Sequence, residues 1–213
     1  MSETGSSERS SAFSDTLAAI VLSISALLTS WASFQAALWD GEQAAAYTEA
    51  GATRVKASLL ATESGQQQGV DMFLFTQWLN AYAGKDEGLQ QFYHERFRPE
   101  FRQAFDDWIA LEPMHNPDAP HSPFQMGEYA PKLTREAAAL DRRADAQFED
   151  GQRYNSTSDA YVAATVVLSL SLFLGGIGQT FDRRRLATTL TLLGAIACVF
   201  GLVRLAALPT MSL

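Results

Sequence analysis

Three stretches of the chain are apolar for long enough to be read as membrane crossings. Residues 17–39, 161–181 and 186–208 run for 23, 21 and 23 positions, and Arg204 is the one formal charge inside them. A helix rises about 1.5 Å per residue, so a crossing needs about 20 apolar residues, and each stretch qualifies. The first is longer than the apolar core of a cleaved leader. The segment before it, MSETGSSERSSAFSD, has one Arg against three acidic residues. It is therefore read as an uncleaved anchor.

Between the first and second stretches the pattern changes to a finer helical repeat. Leu133, Ala137, Leu140, Ala144, Gln147, Gly151, Tyr154, Ser158 and Tyr161 follow one another at alternating steps of four and three. A period of 3.5 is the mark of a left-handed coiled coil, and its small members predict a closely approaching antiparallel partner. With no proline between Pro131 and Pro209, one helix is expected from about residue 128 into the second crossing. The matching segment is 41–64, rich in alanine (Ala44, Ala45, Ala46, Ala50, Ala52, Ala57, Ala61), with Tyr47, Val55, Leu59 and Leu60 as its larger apolar positions. These two are expected to form a stalk, 41–64 with 128–160, carrying a small helical tip over 65–127. In the tip, 71–82 (DMFLFTQWLNAY) reads as an amphipathic helix. Tyr93, Phe97, Phe101, Phe105 and Trp108 form a second helical stripe, broken near Arg98 by Pro99. The stripe is expected to be core, packed on Phe73, Phe75 and Trp78, with a partner groove or lipid-facing surface as the alternative. Residues 112–127, EPMHNPDAPHSPFQMG, hold four prolines and no helical period, so they are read as an irregular loop. The expected fold class is thus an all-α membrane protein: three transmembrane helices, an antiparallel coiled-coil stalk and a small helical tip domain.

Composition agrees with this division. The mean hydropathy of −0.07 and the 19% of charged residues are averages over two unlike parts. Residues 40–160 contain 20 acidic and 11 basic side chains, a balance of −9. Such a domain is a poor partner for nucleic acid, which needs a basic face. Orientation follows from the loop at 182–185, where Arg183, Arg184 and Arg185 join the last two crossings and mark the cytoplasmic side. The expected order is a cytoplasmic tail over 1–16, an extracytoplasmic domain over 40–160, a cytoplasmic loop at 182–185 and an outer tail at 209–213.

Candidate chemistry is sparse. Ser25, Thr29 and Ser33 recur every fourth residue in the first crossing; helix packing and a hydrated lining within an oligomer are the two readings. Arg204 is either a pathway charge or a side chain snorkelling to the outer interface to meet Asp40 or Asp159. The single Cys198 supports no intrachain disulfide and reads as a small packing residue. Arg96, Arg98 and Arg102, interleaved with Glu95, Glu100, Asp106 and Asp107, read as a solvated face. Asn155, Ser156 and Thr157 form a glycosylation sequon within a helix. His94-Glu95 lacks the second His of a zinc-protease helix, since position 98 is Arg. His115 and His121 share the proline-rich loop with Met114 and Asp118, a thin set of metal donors. No nucleophile elbow, phosphate loop or dinucleotide fingerprint is present in the sequence. No catalytic residue, metal or cofactor is expected.

FTQWLNAYA (75–83), RFRPEF (96–101), NPDAPHSPFQMGEYA (116–130) and SDAYV (158–162) resemble a family of three-span bacterial inner-membrane proteins with an outer helical domain. The resemblance implies topology and location, and no activity. The expected role is non-enzymatic: assembly, scaffolding or sensing through the outer domain. The expected partners are membrane lipid and either further copies of the chain or another membrane or periplasmic protein. A subunit of a small oligomeric channel or transporter is the alternative, and an enzyme using the histidine-bearing loop a third reading.

Overall fold

The computed structural model describes residues 4–127, 129, 131–181 and 183–212, with side chains from Thr16 onward except Arg184. Helix α1 spans Thr4–Ala83, α2 Glu87–His94, α3 Pro99–Ile109, α4 Lys132–Gly178 and α5 Arg184–Ala206. A 3-10 turn, Pro123–Gln125, lies between α3 and α4. Among the described residues there is no strand. Helices α1, α4 and α5 are each long and apolar enough to cross a membrane.

Helix α1 differs from the expected division into stalk and tip. It continues through 65–70 without a break, and begins at Thr4, inside the segment read as a tail. Gly65 and Gly69 weaken a helix without ending it, because neither takes a positive φ. The buried positions Ala57, Ser64, Asp71 and Trp78 are seven apart, so one face stays covered through the glycine-rich stretch. Just beyond the end of the helix at Ala83 stands Lys85, whose φ of 56° is left-handed. There the Asp86 N–H reaches the Ala81 carbonyl and the Lys85 N–H reaches Tyr82, each at 3.0 Å. Those paired bonds close a Schellman end with lysine in the place glycine prefers. Asp86 then caps α2 by accepting from the Leu89 N–H at 2.9 Å. Helix α4 starts at Lys132, a little later than expected, since Pro131 fixes the entry and its carbonyl accepts from Thr134 and Arg135.

The chain forms two compact units, Met1–Thr48 with Gln147–Leu213, and Glu49–Ala146. In the first, α1 and α4 pair antiparallel: Ser25 meets Ser171, and further along the Ser158 hydroxyl donates to the Ala36 carbonyl at 3.2 Å. Ala32, Ala36, Tyr161, Ala164, Leu168 and Leu205 form its core. Small residues let the backbones approach. A Cβ on Gly194 would sit 3.1 Å from the Ser171 carbonyl oxygen, and one on Gly201 would sit 2.7 Å from Leu168 Cδ2.

In the second unit, α1 and α4 are again antiparallel, with Arg54 paired to Asp145 at 2.6 Å and Ser64 hydrogen-bonded to Thr134 at 2.6 Å. Its core is aromatic. Phe75, Trp78, Phe97, Phe101, Phe105 and Trp108 are buried together, with Phe124 and Tyr129 packed against them. Edge-to-face contacts dominate, such as Trp78 on Phe105 at 4.7 Å between centroids. Phe73, expected in this core, is 61% exposed, because position 73 lies off the buried line through Asp71, Phe75 and Trp78.

A candidate site in the aromatic tip

The most elaborate polar arrangement is built on Asp71. This carboxylate is fully buried in the second unit, on the covered face of α1. Pro99 opens α3, which leaves Arg98 extended at the N-cap, with φ −61° and ψ 151°. The extended turn brings the guanidinium to Asp71 in two bonds, Nε to Oδ1 at 3.0 Å and Nη2 to Oδ2 at 2.5 Å. Its remaining nitrogen Nη1 donates to Gln67 Oε1 at 2.7 Å, and the Tyr129 hydroxyl donates to Asp71 Oδ2 at 2.9 Å. A planar fork matched to a carboxylate is the strongest form of this pairing. The Asp71 hydrogen bond holds the Arg98 pKa above its ordinary value. Burial, then the Asp71 hydrogen bond, pushes that of Tyr129 well above the usual phenol range.

Arg96, Glu95, Glu100, Asp106 and Asp107 are exposed, as a solvated face requires, but Arg98 and Arg102 are half-buried and turn inward. Arg98 closes the tip internally. Arg102 donates to the Glu95 and Phe97 carbonyls at 2.6 and 3.0 Å. Arg96 lies over the Phe92 ring at 3.4 Å from its centroid. His94 meets Asp106 at 2.6 Å, with its ring against Phe97 and Phe105, so it borders the aromatic core.

Beside the aromatic core is a cavity of about 440 Å³ under the proline-rich loop. Phe75, Trp108, Pro113, Met114, Pro120 and His121 are among its walls. The loop holds its own shape. Trp108 Nε1 donates to the Pro120 carbonyl at 2.7 Å, Asn116 Nδ2 donates to Leu111 at 3.1 Å, and Asn116 Oδ1 accepts from the Asp118 N–H at 3.0 Å. Glu112 turns the chain into it with a left-handed φ of 51°. Among the described residues, no three His, Cys, Asp or Glu side chains converge as a metal site.

The residues singled out from the sequence are distributed differently. Ser25 is buried and bonded to Ser171 at 2.9 Å, while the Ser171 hydroxyl donates to the Gly194 carbonyl at 2.7 Å. One chain of hydroxyls thus joins α1, α4 and α5. Thr29 spends its hydroxyl on the Ser25 carbonyl of its own helix, and Ser33 is exposed. A step of four drifts off a face that repeats every 3.5 residues, so the three do not share an environment. Ala137, Ala144, Gly151 and Ser158 are buried, and Leu133, Leu140, Gln147 and Tyr154 are half-buried between them. Gly151 lies under the Tyr47 ring, 2.5 Å from where a Cβ would stand. Arg204 is exposed, and among the described residues no ion pair joins it to Asp40 or Asp159. Arg183 is the N-cap of α5 and Arg185 is exposed, while the Arg184 side chain lies outside the described residues. Gln35 is a polar residue that no spacing in the sequence singles out. It is buried and grips Met211 through both ends of its amide, each bond 2.9 Å.

Compared with protein-family models, curated proteins and solved structures, the chain matches none.

Proposed function

We propose that the protein is a three-span integral membrane protein that assembles or senses through its outer helical domain and is not an enzyme. One observation carries the membrane reading. The unit containing α5 leaves large apolar side chains bare on all three long helices: Leu27 is 72% exposed on α1, Val166 65% on α4 and Val203 62% on α5. Hydrocarbon covers such faces in a bilayer, and water does not. The three arginines at 183–185 orient the helices with that loop and residues 1–16 in the cytoplasm, and with 40–160 outside. The resemblance of the RFRPEF and SDAYV strings supports the bacterial inner membrane as the location. The seven-residue spacing of Ala137, Ala144, Gly151 and Ser158 supports an antiparallel coiled-coil stalk. Exposed Val55, Leu59, Val70 and Phe73 supply surface for a partner or further copies.

The test uses single-cysteine variants on a Cys198→Ser background. An impermeant maleimide added to intact cells is expected to label Gln66→Cys and to reach Thr180→Cys only after permeabilisation. The reverse pattern overturns the orientation. A photo-crosslinker at Leu59 or Phe73 is expected to trap a second copy or one discrete protein in native membranes. Trapping of neither removes the assembly reading.

A further inference from the structure

The second unit carries an open groove and, on one of the helices that form it, a bare apolar ridge. The groove, of about 460 Å³, runs between α1 and α4. Small side chains line it: Ala57, Ala61 and Gly65 from α1, Ala137 and Ala138 from α4. The fold does not fill it, since a Cβ on Gly65 would meet no atom within 4 Å. The ridge is Val55, Leu59, Val70 and Phe73, each 53–65% exposed. Val55 and Leu59 alternate with Ala57 and Ala61 at steps of two. Successive residues of a helix are about 100° apart, so ridge and groove lie on nearly opposite sides of α1. One copy therefore cannot seat its own ridge in its own groove. Packed helices place the ridges of one in the grooves of another, and a bare apolar ridge marks a contact surface.

Height and charge select a second copy as the occupant. Copies in one membrane point the same way, so equivalent residues stand at equal depth and the copies are related by rotation about the membrane normal. Leu59 is two residues from Ala57 and from Ala61, about 3 Å along the helix, so a neighbour's ridge arrives at the level of the groove. Asp141 is one of the groove's own lining residues, and Lys56 stands between Val55 and Leu59. Both are exposed, and among the described residues neither joins an ion pair. Arg54, also in the lining, is already paired to Asp145. The Lys56 of a neighbour, arriving with its Leu59, supplies the cation that Asp141 lacks, and such a pair fixes register.

We infer that this groove seats the Val55–Leu59 ridge of a second copy of the chain, so that copies join head to tail and close into a ring. The inference rests on the assembly reading above and names both the partner and the surface that receives it.

The test joins two full-length, differently tagged chains in native membranes, each with one cysteine on the Cys198→Ser background. A short bismaleimide is expected to link Leu59→Cys on one chain to Ala138→Cys on the other. Leu59→Cys alone and Ala138→Cys alone are expected to give no dimer, because the two faces of a head-to-tail contact differ. Arg143→Cys, outside the groove, is expected to give none with Leu59→Cys. Lys56→Glu on the ridge-bearing chain sets a carboxylate against Asp141 and is expected to lower the yield about fivefold at low salt, the scale of a reversed surface charge pair. Asp141→Lys on the groove-bearing chain is expected to restore it. These positions are all exposed, so the variants leave the fold intact. No link between positions 59 and 138, or a link no stronger than that to position 143, overturns the seating. A yield unmoved by Lys56→Glu overturns the charge pairing. Dimers of Leu59→Cys alone, or a photo-crosslinker at Leu59 that traps only a different protein, overturn the groove as the acceptor and leave the assembly reading standing.

Discussion

Replacing Arg98 by methionine isolates the clasp that closes the tip. Asp71 is fully buried and accepts three hydrogen bonds, two from Arg98 and one from Tyr129. The substitution removes two of the three and strands a carboxylate away from water. Hydrogen bonds to charged groups are worth about 1.5–3 kcal/mol each, and breaking one side of a buried pair costs about 3–5 kcal/mol. The Arg98 side chain is 25% exposed, so water reaches part of the vacated space and the lower end applies. A loss of about 3 kcal/mol makes local opening about 150-fold more frequent. Hydrogen exchange read by mass spectrometry on the full chain measures that opening directly. Peptides covering Pro99–Ile109 are expected to exchange about two orders of magnitude faster, while peptides from α5 stay unchanged. Adding Asp71→Leu to Arg98→Met is expected to restore most of the protection, because it removes the stranded charge and fills the space. Exchange of α3 in the single variant within threefold of the unmodified chain would refute the argument, since Asp71 would then not depend on Arg98.

Other substitutions probe the remaining elements. Gly194→Ala places a methyl against the Ser171 carbonyl and the Gly175 backbone nitrogen, neither of which can rotate away; it is expected to lower the midpoint of unfolding in mixed micelles more than Ser171→Ala, which loses hydroxyl bonds worth about 1 kcal/mol. Lys85→Gly relieves a left-handed lysine and is expected to stabilise the second unit by about 1 kcal/mol, read as slower exchange at the end of α1. Tyr129 has a raised pKa when folded, so its contribution is intact below pH 10 and is lost as pH rises beyond the phenol's unfolded value; melting temperature is expected to fall above pH 10, and less steeply in Tyr129→Phe.

What the sequence discloses is periodic, and what it conceals is pairwise. The three apolar stretches, the break at Pro99 and the burial of Ala137, Ala144, Gly151 and Ser158 follow from one-dimensional spacing. Asp71 with Arg98 does not, because the partners are 27 residues apart and meet only when α3 folds back on α1. A signal was nevertheless present. Asp71 is seven residues beyond Ser64 and seven before Trp78, so the repeat already put a carboxylate on the covered face and required a cation for it. Phe73 misled for the opposite reason: its hydrophobicity suggested core, and its phase on the helix placed it outside. The cavity was not legible at all, since it arises from how a loop without period folds over two rings.

The amide of Gln35 has a consequence for the order in which the molecule is made. Its partner Met211 is 176 residues later in the chain. Ribosomes add about 5–20 residues per second, so roughly 10 to 35 s separate the synthesis of the two. The hydroxyl of Ser25 waits almost as long for Ser171, 146 residues on. Throughout that interval the first apolar helix carries polar groups whose final partners do not yet exist. It is therefore at its most adhesive toward other helices while nascent, and the later-made partners at Ser171 and Met211 are the ones that switch that stickiness off.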